Sequence, residues 1–222
     1  MTVLLVLLFV TVFLTIDHFL GRRAVTSAVP ALQEASPRPA PAVVAGFELP
    51  ANLRYHPGHT WALAESPNLV RAGLDDFAAK LSGKLDSITL PKRGQWLRQG
   101  QKAWSLIRNG KSVDMVSPIE GTVTDINEAA LRDPELTRKD PYGEGWLVKV
   151  ESPDAKINFR NLMNGSLARL WLQIAAQRLR GLTLAPATAG VLAQDGGTAI
   201  DNTTEGMHGE AWAALAREFF LS

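Results

Sequence analysis

Lys111 is the residue of this chain whose setting points most directly to chemistry. It stands in SLIRNGKSVDM, residues 105–115, directly after Asn109-Gly110 and between two runs of β-forming residues. An ε-amine beside a turn raises the question of whether it is presented to an enzyme that modifies it. The same lysine would equally serve as a charge flanking a turn. Other chemistry is poorly supplied. The chain has no cysteine, which excludes disulfides and thiolate metal ligands. His18, His56, His59 and His208 are scattered without metal-ligand spacing. No serine, histidine and acid form a recognisable nucleophile motif. His59 and Trp61 read as packing residues with one satisfied hydrogen bond. AQDGGTAID, residues 193–201, lacks the strand-to-helix setting of a phosphate loop and reads as a plain loop. No autonomous enzymatic activity is expected. A net charge of +1, from 23 basic and 22 acidic residues, gives no reason to expect a nucleic-acid partner.

The turn itself is legible. A two-residue type I′ turn needs positive φ at both central positions, and Asn-Gly is its preferred pair. That centres a hairpin on Asn109 and Gly110, with Arg108 opposite Lys111, Ile107 opposite Ser112 and Leu106 opposite Val113. Lys111 then begins the returning strand, and its side chain lies on one face of the hairpin instead of projecting from the apex. The facing charge of Arg108 is slightly unfavourable.

Around this hairpin, residues 47–157 alternate short β-type runs with turn signals. SITLP, KAWSLI, KSVDMV, GTVTDI and GWLVKV are strand candidates, punctuated by Gly94, Gly100, Asn109-Gly110 and Gly121. DDFAAKLSG is a short helix with Asp75 as N-cap and Gly83 as terminator. The composition predicts a mainly β domain of the sandwich or barrel kind with minor helices. Residues 158–222 form a helical C-terminal extension. In it, SLARLWLQIAAQRLRG is predicted to run from a Ser166 cap to Gly181, with Leu167, Leu170, Trp171, Ile174 and Leu179 near one face. GEAWAALAREFFLS is a second helix clustering Trp212, Leu215, Phe219 and Phe220, apolar enough to expect a buried or partner-bound tail. The basic flank of the first helix leaves two roles open, packing on the β domain or lying on anionic lipid.

Residues 1–21 read as a transmembrane helix. From Val3 to Ile16 there is no charge, and about 18 residues at ~1.5 Å each span ~27 Å, enough for a hydrocarbon core. The basic leader and small-residue cleavage site of a signal peptide are not evident. Arg22 and Arg23 follow, which places the bulk of the chain on the cytoplasmic side of a single-pass membrane protein. Residues 22–46, rich in Pro, Ala and Ser, read as a tether reaching roughly 25–30 Å.

Five segments in order, from Tyr55 to about Val150, resemble the H protein of the glycine cleavage system, a relative of lipoyl and biotinyl carrier domains. They are YHPGHTW, GLDDFAAKLSGKLDSITLP, GQWLRQGQ, SPIEGTVTDINEA and DPYGEGWLVKV. The last resembles the family's Asp-Pro-Tyr-Gly-x-Gly-Trp signature, whose Trp146 is expected to enter the core. The resemblance implies a flattened β-barrel of the lipoyl-domain, barrel-sandwich hybrid type with a protruding hairpin. It also implies lipoate on a lysine at the hairpin tip, shuttling an aminomethyl group between partner enzymes. At the position of that lysine this chain has Gly110, counting from Leu90-Pro91 or back from Pro118 and Gly121. The acid usually found three positions earlier is replaced by Ile107.

Two readings follow. In the favoured one the modification is lost, no cofactor is carried, and a membrane-tethered domain acts as a docking or assembly module for a protein partner or complex. In the other the hairpin slips by one residue and lipoate is carried on Lys111, at some cost to the turn and to the faces of the strands.

Overall fold

A computed structural model describes residues 41–184, 206–207 and 209–220. The expected membrane span, most of the tether, the loop at 193–201, His18 and His208 lie outside them. Among the described residues no helix is long and apolar enough to cross a membrane.

The β domain is built from antiparallel strands. β3 (Arg54–His56), β4 (Thr60–Ala64), β5 (Leu69–Leu74), β11 (Val148–Glu151), β10 (Gly121–Ile126) and β7 (Trp96–Leu97) form one sheet in that spatial order. β6 (Ser87–Thr89), β8 (Lys102–Arg108) and β9 (Lys111–Val116) form a second. β1 (Ala42–Val44) and β2 (Phe47–Leu49) pair as a small ribbon at the start. β1 falls within residues that composition assigns to the tether, and Val44, Phe47 and Leu49 bury their side chains in the domain. The core centres on Trp61, Trp104, Tyr55, Phe47 and Phe77, all fully buried.

Local signals set most elements. α1 (Asp76–Ser82) starts where the Asp75 carboxylate accepts from the Ala78 N–H at 2.7 Å, and ends at Gly83, which has positive φ. α2 (Glu128–Arg132) is capped by Asn127, whose Oδ1 accepts from Ala129 and Ala130. The Asn127 amide donates to the carbonyls of Glu144 and Trp146, tying the start of α2 to the segment between α3 (Leu136–Lys139) and β11. Trp146 does not enter the core as expected. It stays half-buried under the Lys149 ammonium, and Leu147 takes the interior position. The Trp61 indole N–H, by contrast, donates to Pro141 O at 3.1 Å and anchors that turn from within.

After α4 (Ala155–Arg160), the long helix α5 (Gly165–Leu184) differs from expectation in its bounds and its buried face. It starts before Ser166 and continues through Gly181. The buried face is Ala168, Leu172, Ala175, Ala176 and Leu179, whereas Leu167, Leu170 and Ile174 are 58%, 56% and 56% exposed. The cause is close packing. Alanines let the helix backbone approach the β domain, a distance the larger leucines would not permit. The last helix, α6 (Gly209–Phe220), buries Trp212, Ala213, Ala216, Phe219 and Phe220, so the apolar tail is covered by the chain's own fold.

Candidate functional site: the β8–β9 hairpin

Asn109 and Gly110 have φ of 49° and 71°, the left-handed values a type I′ turn requires. The register is Arg108 opposite Lys111, Ile107 opposite Ser112 and Leu106 opposite Val113. The apex therefore consists of Asn109 and Gly110, and Lys111 opens β9. A methyl group added at Gly110 would meet no atom within 4 Å, so the apex faces open space.

Arg108 and Lys111, paired across the strands, share one face of the hairpin, and α6 lies against that face. A methyl group added at Gly209 would fall 3.0 Å from Lys111 Cγ and 3.1 Å from Asn109 O, so the helix start touches the tip. At the other end, Phe220 O comes close to Gly58, beside Val116. The helix thus runs parallel to β9 from tip to base.

The two facing cations take different partners, which relieves their repulsion. The Lys111 ammonium meets the Glu210 carboxylate at 2.5 Å. The buried Arg108 guanidinium donates to Ser82 O at 3.0 Å and sits 5.7 Å from the Trp212 ring. Trp212 in turn donates to Leu81 O at 3.2 Å, joining α6 to the end of α1. Trp212 and the phenylalanines Phe219 and Phe220 signalled that this helix would be covered. The sequence pattern could not name the surface they would cover.

The Glu210 carboxyl is held below the ordinary glutamate range, first by its hydrogen bond from Lys111 and then by that residue's charge. A depressed folded-state pKa means the contact contributes above the ordinary glutamate range and is lost as pH falls through the folded-state value. The Glu210 carboxyl signal, followed by NMR as pH is lowered, is therefore expected to titrate below the ordinary glutamate value of about 4.3, and Lys111→Ala is expected to return it toward that value. A transition centred near neutrality would contradict the ion pair.

Elsewhere the expected packing roles hold. His59 is buried, bonded through Nδ1 to Asp75 at 2.8 Å and stacked on Phe77 with centroids 4.0 Å apart. Trp171 and Phe219 close over the same ring, so α5 and α6 share the core around His59. Among the described residues no group of three or more His, Asp or Glu is placed to hold a metal. An open apolar groove of about 350 Å³, lined by Ala64, Pro67, Ala155, Lys156 and Phe159, involves no residue of the hairpin.

The fold and hairpin define a carrier-type β domain that presents one turn at the end of two strands. The glycine cleavage H-protein model matches residues 53–173, more than half of the chain, and the chain belongs to that family. The glycine cleavage system H protein of Coprothermobacter proteolyticus is 34% identical over 47% of this chain and 83% of the relative. That of Thermobifida fusca is 36% identical over 47% and 82%. A crystal structure of the H protein from Mycobacterium marinum, 27% identical, covers 47% of this chain and 87% of that one with a TM-score of 0.44. Members of the family are carriers and not catalysts, and the chain is not an enzyme. The β1–β2 ribbon, the end of α5 and all of α6 fall outside the matched residues.

Lipoate is the cofactor implied by the family, joined by an amide to a lysine ε-amine at the hairpin tip. These residues do not fit it at the family position. Gly110 offers no amine, and the neighbouring amine of Lys111 is engaged by Glu210 on the side of the hairpin that α6 covers.

Proposed function

We propose that the chain is a membrane-tethered H-protein-like domain that carries no lipoate and serves as a docking or assembly module for a protein partner on the cytoplasmic side. One observation carries the loss of the modification: the apex is Asn109-Gly110, and the chain's own last helix occupies the hairpin face on which Lys111 lies. The tether rests on the uncharged stretch from Val3 to Ile16, and the orientation on Arg22 and Arg23. The partner reading rests on a scaffold kept whole without the group its relatives' fold presents.

A second reading has its own support. The Lys111 side chain is 46% exposed, so a ligase could reach the amine if the start of α6 frayed, and the domain would then be a working carrier. Intact mass of protein purified from its native host separates the two. The expected result is no lipoyl-sized increment, with co-purifying proteins retained in Lys111→Ala. An increment that disappears in Lys111→Ala would establish the carrier reading instead.

A further inference from the structure

Half of α5 faces away from the β domain and is not the polar surface that such a face normally is. Leu167, Leu170 and Ile174, spaced by three and four residues, form an exposed aliphatic row along successive turns. At 100° per residue, Arg178 borders this row on one side and Arg169 lies beyond its other edge. Residues 155–184 hold Lys156, Arg160, Arg169, Arg178 and Arg180 and not one carboxylate, in a chain whose charges otherwise nearly balance. All five cations are exposed, and of them Arg178 meets Glu218 of α6.

The placement of α5 matters as much as its composition. The Arg180 guanidinium donates to Ala45 O at 3.3 Å, so the helix lies beside the β1–β2 turn, where the chain enters the domain. Residues 21–40 precede that point and follow the apolar N-terminal stretch. On the tether reading, twenty residues correspond to a reach of roughly 25 Å. Within the described residues α5 adjoins the start of the β domain.

We propose that the outward face of α5, the Leu167–Leu170–Ile174 row with its flanking arginines, seats the domain on an anionic lipid surface. The inference deepens the membrane-tethered reading and rests on it for the nearness of a bilayer. Charge decides the occupant. A narrow aliphatic row without a groove, on a helix that carries cations and no carboxylate of its own, with Glu218 of α6 meeting Arg178 at one border, matches the headgroup boundary of an anionic membrane, where apolar area and electrostatic attraction act together. A protein groove would demand a deeper anchor than three half-exposed aliphatics.

The chain lacks cysteine, so one thiol can be placed at will. Full-length Leu170→Cys carrying an environment-sensitive fluorophore is mixed with vesicles containing a spin-labelled quencher lipid. The vesicles are either phosphatidylcholine alone or phosphatidylcholine with phosphatidylserine. Lys92→Cys, beside β7 at the opposite end of the six-stranded sheet from β3, is the reference. Flotation on both vesicles, with quenching several-fold stronger at position 170 than at 92 on the anionic ones only, is expected. Arg160→Glu with Arg169→Glu, both exposed, is expected to weaken the seated state at least about tenfold. Flotation on both without that quenching overturns the inference and leaves the tether standing. Flotation with quenching on anionic vesicles alone supports the inference and overturns the tether, and no flotation overturns both. A benzophenone on the same thiol should label lipid. An adduct to the chain itself, to a second copy or to another protein would overturn the proposal.

Discussion

Trp212→Ala is expected to lower the unfolding free energy by about 3–5 kcal/mol, the range for truncating a buried aromatic. Trp212 is fully buried in α6, its N–H satisfies Leu81 O, and its ring lies near the Arg108 guanidinium. Truncation leaves a cavity and an unpaired carbonyl, and it uncovers one side of a buried cation. Those losses act together on a domain whose whole stability is of the order of 5–15 kcal/mol. Trp96→Ala is the control, since Trp96 is 51% exposed in β7 and should change stability by no more than roughly 0.5 kcal/mol. Urea unfolding of the full chain reads both. Hydrogen exchange then tells whether α6 detaches alone or the domain unfolds with it. Because Phe219 packs on Phe77 and His59, detachment would open the core, and α6 should exchange together with α1 instead of fraying independently. A Trp212→Ala variant no less stable than Trp96→Ala would mean that the helix is not part of the fold.

This docking shows where sequence reasoning reaches and where it ends. Local chemistry was legible. Asp75 and Gly83 bound α1 because caps are set by a few neighbouring atoms, and Asn109-Gly110 sets the hairpin register because two φ angles determine it. Faces were less legible. Size ranked Leu167, Leu170 and Ile174 above Ala168, Ala175 and Ala176 as the contact face of α5, yet close approach favours the alanines. Val44 was assigned to a tether because its neighbours are Pro and Ala, although pairing with Phe47 gives it a strand. The contact of α6 with the hairpin joins residues about a hundred positions apart. No periodicity reports such a contact, and the phenylalanines near the C-terminus signalled only that something would cover them.

The same geometry makes the proposed loss of the modification a single-position question that can be reversed. Gly110→Lys is expected to accept lipoate from a lipoate–protein ligase supplied with ATP, while the wild-type chain shows no mass increment under the same conditions. Gly110 has room for the change because nothing lies within 4 Å of an added Cβ. Its φ of 71° imposes a left-handed lysine at a cost of about 1–2 kcal/mol, small enough to leave the hairpin folded. Gly110→Lys with Lys111→Ala should be modified equally, which shows that the apex amine and not its neighbour is the acceptor. Intact mass is the measurement throughout, and the expected change is from no detectable adduct to a majority species. If the wild-type chain were modified and lost the adduct in Lys111→Ala, an amine one residue off the apex would suffice, and the docking reading would give way to a carrier. If Gly110→Lys stayed unmodified, the barrier would lie in what surrounds the apex. Combining it with Trp212→Ala would then separate the two candidates. Recovery of the adduct would assign the block to α6, and its continued absence would assign it to the hairpin itself.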